Sequence, residues 1–204
     1  MLITSKPTID VKADIWNMPQ LSHLRTNKRA KLPPPTTSTS STNSYLQTLS
    51  LVAPESCKED VLAKAGNLKK ISVKGNLTAF EFKVLKFLEN LTLLNDDKSD
   101  KALHLPSAFF ECLPYLKKLT LSKTRFDWNE ANRLGQVKDL QVLWIEMADF
   151  ESWEASKCPF PRLRNLVLVS CLNLEALLLE LADLDHLQEM TLDNTSKAVE
   201  SAKE

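Results

Sequence analysis

The chain has 204 residues, of which 43% are apolar and 25% are charged. This length is enough for one sizeable core, and the composition is that of an ordinary globular protein, which excludes disorder throughout the chain. Lysine plus arginine equals aspartate plus glutamate, at 26 each. No global field would therefore draw the chain to nucleic acid or to an anionic membrane.

The amino-terminal residues do not have the pattern of a secretory signal. Lys6, Asp10, Lys12 and Asp14 interrupt the apolar residues there, whereas a signal peptide needs a continuous apolar region. Nowhere does an apolar run approach the roughly 20 residues that span a bilayer. We expect a cytoplasmic protein with no membrane insertion.

The four cysteines stand far apart in the sequence. They form no Cys-x-x-Cys pair, and no histidine stands near them; they are Cys57, Cys112, Cys158 and Cys171. Zinc sites need closely spaced thiol and imidazole ligands. In the cytoplasm such isolated thiols are reduced. We expect free thiols, no metal site and no cofactor.

A short apolar pattern recurs along the chain and predicts its architecture. Apolar anchors stand at positions one, four and six of each copy. The seven copies are Leu46, Leu49, Leu51; Leu68, Ile71, Val73; Leu88, Leu91, Leu93; Leu116, Leu119, Leu121; Leu140, Leu143, Ile145; Leu163, Leu166, Leu168; and Leu187, Met190, Leu192. Their first residues are 22, 20, 28, 24, 23 and 24 positions apart, within or near the range of leucine-rich repeats. An imperfect eighth copy begins at Leu21 and Leu24.

This spacing has a physical reason. Alternate side chains of a strand face opposite ways, so positions four and six point into a core while positions three and five face solvent. One such strand cannot bury its apolar face alone, but stacked copies bury a continuous column. The pattern predicts an α/β solenoid. It would be a leucine-rich-repeat horseshoe of about seven to eight repeats, with a parallel sheet on the concave face and an irregular or short helical convex side.

The segments between the strands are predicted from composition and spacing. Glu59 to Ala65 and Leu174 to Leu184 have the residues expected of short helices. Phenylalanines in these segments are expected to close the back of the core; they are Phe109, Phe110, Phe126, Phe150 and Phe160. Three residues after the third anchor, four copies carry a small side chain expected to satisfy the turning backbone: Asn76, Thr124, Cys171 and Thr195.

The chain divides into three parts on this interpretation. Residues 1–32 would be ragged amino-terminal repeat turns, and residues 45–204 the leucine-rich-repeat domain. Between them, residues 33–44 begin with Pro33 to Pro35 and continue as a run rich in serine and threonine. This composition is typical of a flexible loop.

Six long stretches of the chain resemble one protein family. They are WNMPQLSHLRTN (Trp16 to Asn27), APESCKEDVLAKAGNLKKISVKG (Ala53 to Gly75), LKKLTLSKTRFDWNEANRLGQ (Leu116 to Gln136), LQVLWIEMADFESWEAS (Leu140 to Ser156), FPRLRNLVLVSC (Phe160 to Cys171) and LELADLDHLQEMTLDNTSKAVESAKE (Leu179 to Glu204). The chain resembles, over essentially its whole length, the leucine-rich-repeat region of the coiled-coil, nucleotide-binding disease-resistance proteins of nightshade plants. The resemblance is in particular to the late-blight resistance protein homologues.

The resemblance implies a protein-interaction module of plant innate immunity. Such repeats contribute to the recognition of pathogen effectors and restrain a nucleotide-binding switch domain. This chain departs from the family in lacking the phosphate-binding Gly-x-x-x-x-Gly-Lys-Ser/Thr loop, because none of Gly66, Gly75 and Gly135 begins one. A further departure is the run Leu177 to Leu179, where related repeats usually have a proline. The resemblance implies a truncated repeat region, and three roles stay open for it: a module that acts on a switch domain in trans, a decoy, or the product of a decayed gene.

The predicted exposed strand positions supply the candidate binding residues. A basic group comprises Lys70, Lys74, Lys118 and Lys123, and an apolar group comprises Val142, Trp144, Met147 and Val167. Aromatic residues and methionine are enriched at the centres of protein interfaces, which makes Trp144 the strongest candidate anchor. The alternative is that the lysines only keep the surface soluble and that Trp144 packs inward.

Catalysis needs a constellation of groups that the sequence does not supply. The histidines (His23, His104 and His186) are scattered, and no Gly-x-Ser-x-Gly motif is present. We expect no enzymatic activity and no small-molecule substrate. Two other interpretations stay open. One is a substrate receptor or adaptor built from the same repeats, although residues 1–45 lack the helical pattern of the F-box that such a receptor needs. The other is a non-functional fragment of a resistance gene.

Overall fold

The fold is taken from a computed structural model that describes residues 8–36, 43–77, 85–95, 112–124, 134, 137–148, 160–175, 177, 181 and 184–195. These residues form one parallel sheet. Its strands are β1 (Thr8–Asp10), β2 (His23–Leu24), β3 (Arg29–Lys31), β4 (Thr48–Val52), β5 (Lys70–Gly75), β6 (Asn90–Asn95), β7 (Lys118–Ser122), β8 (Val142–Glu146), β9 (Asn165–Val169) and β10 (Glu189–Asp193). Each strand from β4 onward pairs with the strand of the next copy, so the chain is a parallel β-solenoid.

The anchors stack in two buried columns because the strands stay in register. From β5 to β10 the fourth position of each copy pairs with the fourth of the next, and the sixth with the sixth. The columns are Ile71, Leu91, Leu119, Leu143, Leu166 and Met190, and Val73, Leu93, Leu121, Ile145, Leu168 and Leu192. The anchors of β5 to β9 are almost fully buried, whereas Met190 is exposed and Leu192 is half-buried. The predicted stack of parallel strands is confirmed.

The imperfect amino-terminal copy is also confirmed, in an interrupted form. Leu24 in β2 pairs with Leu49 in β4, as an anchor at position four should. The second buried position of this copy is supplied by Ala30 in β3, which pairs with Val52. The residues between β2 and β3 form an insertion. This copy therefore has two short strands where each later copy has one.

The prediction that Leu51 is the third anchor of its copy is wrong. The register shifts between Leu49 and Val52, and Val52 pairs with Val73 and is buried. Leu51 is half-exposed and has a positive φ of 53°. A bulge places one extra residue in β4, where the neighbouring copy contains its insertion, and so moves the inward position from Leu51 to Val52.

Hydrogen bonds hold residues 8–36 together and join this segment to the first regular copy. The indole Nε1 of Trp16, a buried residue in the 3-10 turn Ile15–Asn17, donates to the carbonyl of Pro33 at 2.8 Å. The buried amide of Leu32 donates to Oγ of Ser56 at 2.9 Å. Of the predicted flexible loop, residues 33–36 and 43–44 are described; Thr36 donates to Asp14, and the amide of Ser44 donates to the carbonyl of Lys64 at 2.8 Å. The rest of that loop lies outside the described residues.

Most of the described residues in the return segments lie in turns or irregular backbone. The prediction of a helix from Glu59 to Ala65 is wrong: the chain there makes consecutive turns, with a short 3-10 helix just before it at Pro54–Ser56. Val61, Leu62 and Ala65 are buried in this segment. Packing of these side chains against the strands outweighs the weak helix preference of a seven-residue segment.

The other return-segment predictions fall mostly outside the described residues. Phe160 is buried and packs in the core as expected. The remaining four phenylalanines and most of the segment from Leu174 to Leu184 are not described. Within the described part of the chain, no helix is long and apolar enough to cross a membrane.

The small residues after the strands do not all serve the predicted purpose. Thr124 and Thr195 are buried, and their hydroxyls find no hydrogen-bond partner among the residues that the structure describes. The thiol of Cys171 lies 3.7 Å from the carbonyl oxygen of Val169, a weak sulfur contact. Small size in a buried turn is thus the property that Thr124, Cys171 and Thr195 share.

Gly75 ends β5 in a conformation that other residues rarely adopt, with a φ of 144°. A Cβ at this position would lie 2.8 Å from Cδ of Pro54 and 3.0 Å from Nη1 of Arg29. We predict that Gly75→Ala lowers the free energy of unfolding by about 1–3 kcal/mol, because the backbone is strained and the neighbours are crowded. Urea unfolding followed by circular dichroism measures this, with Lys74→Ala as the exposed control. Equal midpoints for the two variants would contradict the prediction.

The thiol of Cys57 is buried, and this burial, assisted by the charge of Glu55, raises its pKa from 9.0 to about 12. We predict that Cys57 resists iodoacetamide at pH 8.5 in the folded protein while the half-exposed Cys112 reacts. Mass spectrometry of the digested, labelled protein reports the labelling of each cysteine. Labelling of Cys57 at the rate of Cys112 would exclude the buried environment.

The same shift makes folding stability depend on pH. As the pH rises, the Cys57 thiol ionises in the unfolded chain before it ionises in the folded protein, so this group lowers folding stability progressively between about pH 9 and pH 12.

Candidate functional site

Two rows of side chains run across the exposed face of the sheet, one from position three of each copy and one from position five. The first row is Lys70, Asn90, Lys118, Val142, Asn165 and Glu189, and the second is Ser72, Thr92, Thr120, Trp144, Val167 and Thr191. Along the first row the side chains change from basic through apolar to acidic. The exposed face therefore differs from one end to the other although the core beneath it repeats.

The apolar part of this face forms a tryptophan patch, which comprises Val142, Trp144 and Val167. Val142 and Trp144 are alternate residues of β8 and so share a face, and Trp144 is paired in register with Val167 of β9. All three side chains are half-exposed, while Leu143 and Ile145 point into the core. The predicted anchor Trp144 thus lies on the exposed face and not in the core.

Lys118 joins the patch to the basic side of the sheet. Its Nζ lies 5.7 Å from the centroid of the Trp144 ring, which is within the range of a cation–π interaction of about 0.5–1 kcal/mol at an exposed site. Lys118 is also paired in register with Val142. The basic and apolar groups that appeared separate in the sequence therefore meet at Trp144.

The other two strand lysines stand apart from this site. Lys70 and Lys74 are on β5, and β6 lies between β5 and β7, so Asn90 separates Lys70 from Lys118. Neighbouring strands are roughly 4.8 Å apart, which puts two intervals at roughly 10 Å. Leu94 is the register partner of Lys74 on β6. The four predicted lysines do not form one continuous basic surface.

The prediction that Lys123 and Met147 occupy exposed strand positions is wrong. Each follows the last residue of its strand, β7 or β8, and has a positive φ, of 55° and 51° respectively. The amide of Lys123 donates to the carbonyl of Glu146, and that of Met147 to the carbonyl of Val169. Ser170 and Asn194 have the same backbone conformation at the same position of their copies. These residues form a rim along the ends of the strands, beyond the strand face itself.

A second exposed surface was missed in the sequence. The residue just before the first anchor is Tyr45, Phe87 or Tyr115 in three copies, and these side chains are 64%, 55% and 50% exposed. We call these three residues the aromatic edge. Together with the residues just after the first anchors, they line a cleft of about 480 Å³. The signal in the sequence is an aromatic residue one position before the first anchor of three copies, outside the strand positions.

The fold and the two exposed surfaces define a repeat protein of the solenoid class. No protein-family model matches this chain, and no curated protein matches it by sequence. Among the described residues, no group of three histidine, cysteine, aspartate or glutamate side chains is arranged to hold a metal ion. The surfaces offer ring faces, lysine ammonium groups and apolar side chains, which are groups suited to binding.

The left-handed conformation of Met147 gives a test of the rim. A left-handed conformation costs a non-glycine residue roughly 1–2 kcal/mol, and glycine avoids this strain at some cost in unfolded-state entropy. Met147 is 48% exposed and has little packing to lose. We predict that Met147→Gly raises the free energy of unfolding by up to about 1 kcal/mol, measured by urea unfolding. The control is Glu146→Gly, inside β8, which should destabilise; stabilisation by both substitutions would disprove the assignment.

Proposed function

We propose that this chain is a leucine-rich-repeat protein-interaction module of plant innate immunity, and that it binds its partner through the tryptophan patch. The partner is a pathogen effector or the nucleotide-binding switch domain of a resistance protein. The observation that carries the proposal is the position of Trp144, half-exposed in register with Val167 and in contact with Lys118. A tryptophan in an apolar patch beside a cation is typical of a binding hot spot.

The repeat class is part of the proposal. The three-anchor pattern, the parallel strand in each copy and the spacing of the copies support a leucine-rich-repeat horseshoe, in which the exposed strand face would be the concave face. The convex side would then be mostly turns, as in the described return segments. The resemblance to resistance proteins supports the immune role.

The location is likewise proposed. Free thiols at Cys57, Cys112 and Cys171 support a cytoplasmic module. Cytoplasm is also where a nucleotide-binding switch domain would be available to it.

The polar side chains on either side of Val142 in the first row support a protein partner, since polar residues surround the apolar centre of many protein interfaces.

Thermal unfolding tests the binding proposal. The full chain is unfolded alone and with a saturating amount of a purified nucleotide-binding domain from a coiled-coil resistance protein of a nightshade plant. A partner that binds only the folded state raises the unfolding temperature. We predict such a rise, and we predict that Trp144→Ala weakens binding about 30-fold, equivalent to about 2 kcal/mol, while the unfolding temperature of the free chain changes little.

Thr92→Ala is the matched control, because Thr92 occupies the same row two strands away and lies outside the patch. It should bind like the unchanged protein. Isothermal titration calorimetry gives the two dissociation constants directly. If Trp144→Ala and Thr92→Ala bind the domain equally well, the patch is not the contact surface; if a panel of switch domains and effectors leaves the unfolding temperature unchanged, the proposed function fails.

A further inference from the structure

The aromatic edge has a gap in its row of rings. Phe87 and Tyr115 belong to neighbouring copies and stack with their centroids 6.0 Å apart and their planes inclined by 16°. Neighbouring strands are roughly 4.8 Å apart, so adjacent copies hold their side chains near stacking distance. Tyr45 is two copies away from Phe87, and the copy between them carries Asn67 at this position. The row is therefore a series of rings with one ring missing.

The gap matches the thickness of a single planar group. Asn67 is short, and its amide Nδ2 donates to the carbonyl of Ser44 at 2.9 Å. The backbones that carry Tyr45 and Phe87 are two strand intervals apart, roughly 10 Å. A ring stacked between two others needs centroid separations of about 4.5–7 Å on each side. Two such separations include the available distance, so one guest ring would complete the row.

The charges around the gap select the chemistry of the guest. On the other side of the first anchors the cleft is lined by Gln47, Lys69, Glu89 and Lys117. Lys117 pairs with Glu89 at 3.2 Å, whereas the exposed Lys69 has no ion pair within the described ranges. The charged side chains of the cleft, Lys69, Glu89 and Lys117, therefore carry a net charge of +1. It attracts a carboxylate and disfavours an arginine, the other planar side chain that stacks on rings.

We propose that this cleft binds a linear segment of a partner protein in which an aromatic residue is followed by an acidic residue. The aromatic ring enters the gap between Tyr45 and Phe87, and the carboxylate pairs with Lys69. The cleft crosses four copies, which is roughly 14 Å, the length of about four or five extended residues. This surface lies before the strands and is separate from the tryptophan patch, so its occupant does not compete for Trp144.

The test uses the full chain labelled with ¹⁵N and three synthetic peptides: acetyl-Gly-Trp-Asp-Asp-Gly-amide, the same peptide with alanine in place of tryptophan, and the same peptide with lysines in place of the aspartates. Chemical-shift titration locates binding residue by residue. The first peptide should cause saturable shifts at Asn67, Lys69 and Phe87. The other two should bind at least tenfold more weakly. Absence of shifts at millimolar peptide, or equal binding of the alanine peptide, would overturn the proposal.

Two variants separate the roles of the gap and of the charge. Asn67→Tyr fills the gap and should abolish peptide binding, with His186→Tyr, at the same position of the β10 copy, as the matched control that leaves binding unchanged. Lys69→Glu alters only an exposed side chain and should reverse the preference toward the lysine peptide. Unchanged binding in Lys69→Glu, or shifts centred on Trp144, would refute the proposed site. The proposal would also be refuted if a second copy of this chain occupied the cleft and displaced the peptide.

Failure of the peptide-binding proposal can be distinguished from failure of the proposed function. Trp144→Ala should leave peptide binding intact, and Asn67→Tyr should leave binding of the switch domain intact. Either surface can therefore fail its test without deciding the other.

Discussion

The structure depends on one constraint, the register of parallel strands that stacks each anchor on the same anchor of the next copy. A strand of five or six residues has too few contacts to be stable alone, and its apolar side chains become buried only between neighbouring copies. Leu119, for example, pairs with Leu91 on one side and Leu143 on the other. Because the register is kept from β5 to β10, the remaining strand positions and the residues that flank the strands are aligned as well. The surface therefore consists of rows whose members occupy equivalent positions of successive copies.

These rows explain how a repetitive core carries different surfaces. A row at position five includes threonines at β6 and β7 and then Trp144 and Val167, while every anchor beneath remains a leucine or an isoleucine. The row one residue before the first anchor includes the aromatic edge and then Asp139, which accepts an ion pair from Arg162 of the next copy at 2.6 Å. Side chains of neighbouring copies are close enough to interact, within a row as Phe87 does with Tyr115, or between the two strand rows as Lys118 does with Trp144. Binding chemistry is thus built by a few side chains from two or three neighbouring copies.

The sequence was a good guide to the core and a poor one to the ends of the strands. Periodicity predicted the parallel stack and an imperfect first copy, because burial of anchors such as Leu24 follows directly from apolar spacing; it did not predict the insertion that divides this copy into β2 and β3. It did not predict the bulge at Leu51, since Leu51 and Val52 are equally apolar and only the insertion in the neighbouring copy decides which one faces inward. It also placed Lys123 and Met147 on strands, because lysine and methionine give no sign of a left-handed backbone. The helix expected from Glu59 to Ala65 does not form, because the packing of side chains in so short a segment outweighs its helix propensity.

The left-handed rim has a consequence for how such a chain can change over time. At this position Gly75, Lys123, Met147, Ser170 and Asn194 all have positive φ, although only glycine and asparagine adopt it at low cost. At Lys123, Met147 and Ser170 the backbone amide donates to a carbonyl of the next strand, which holds the conformation against the preference of the side chain. Each lysine, methionine or serine there is a small reserve of strain at the margin of the binding face. Replacement of one such residue by glycine or asparagine would offset a destabilising change elsewhere on the surface, so new contacts can arise while the stack keeps its shape.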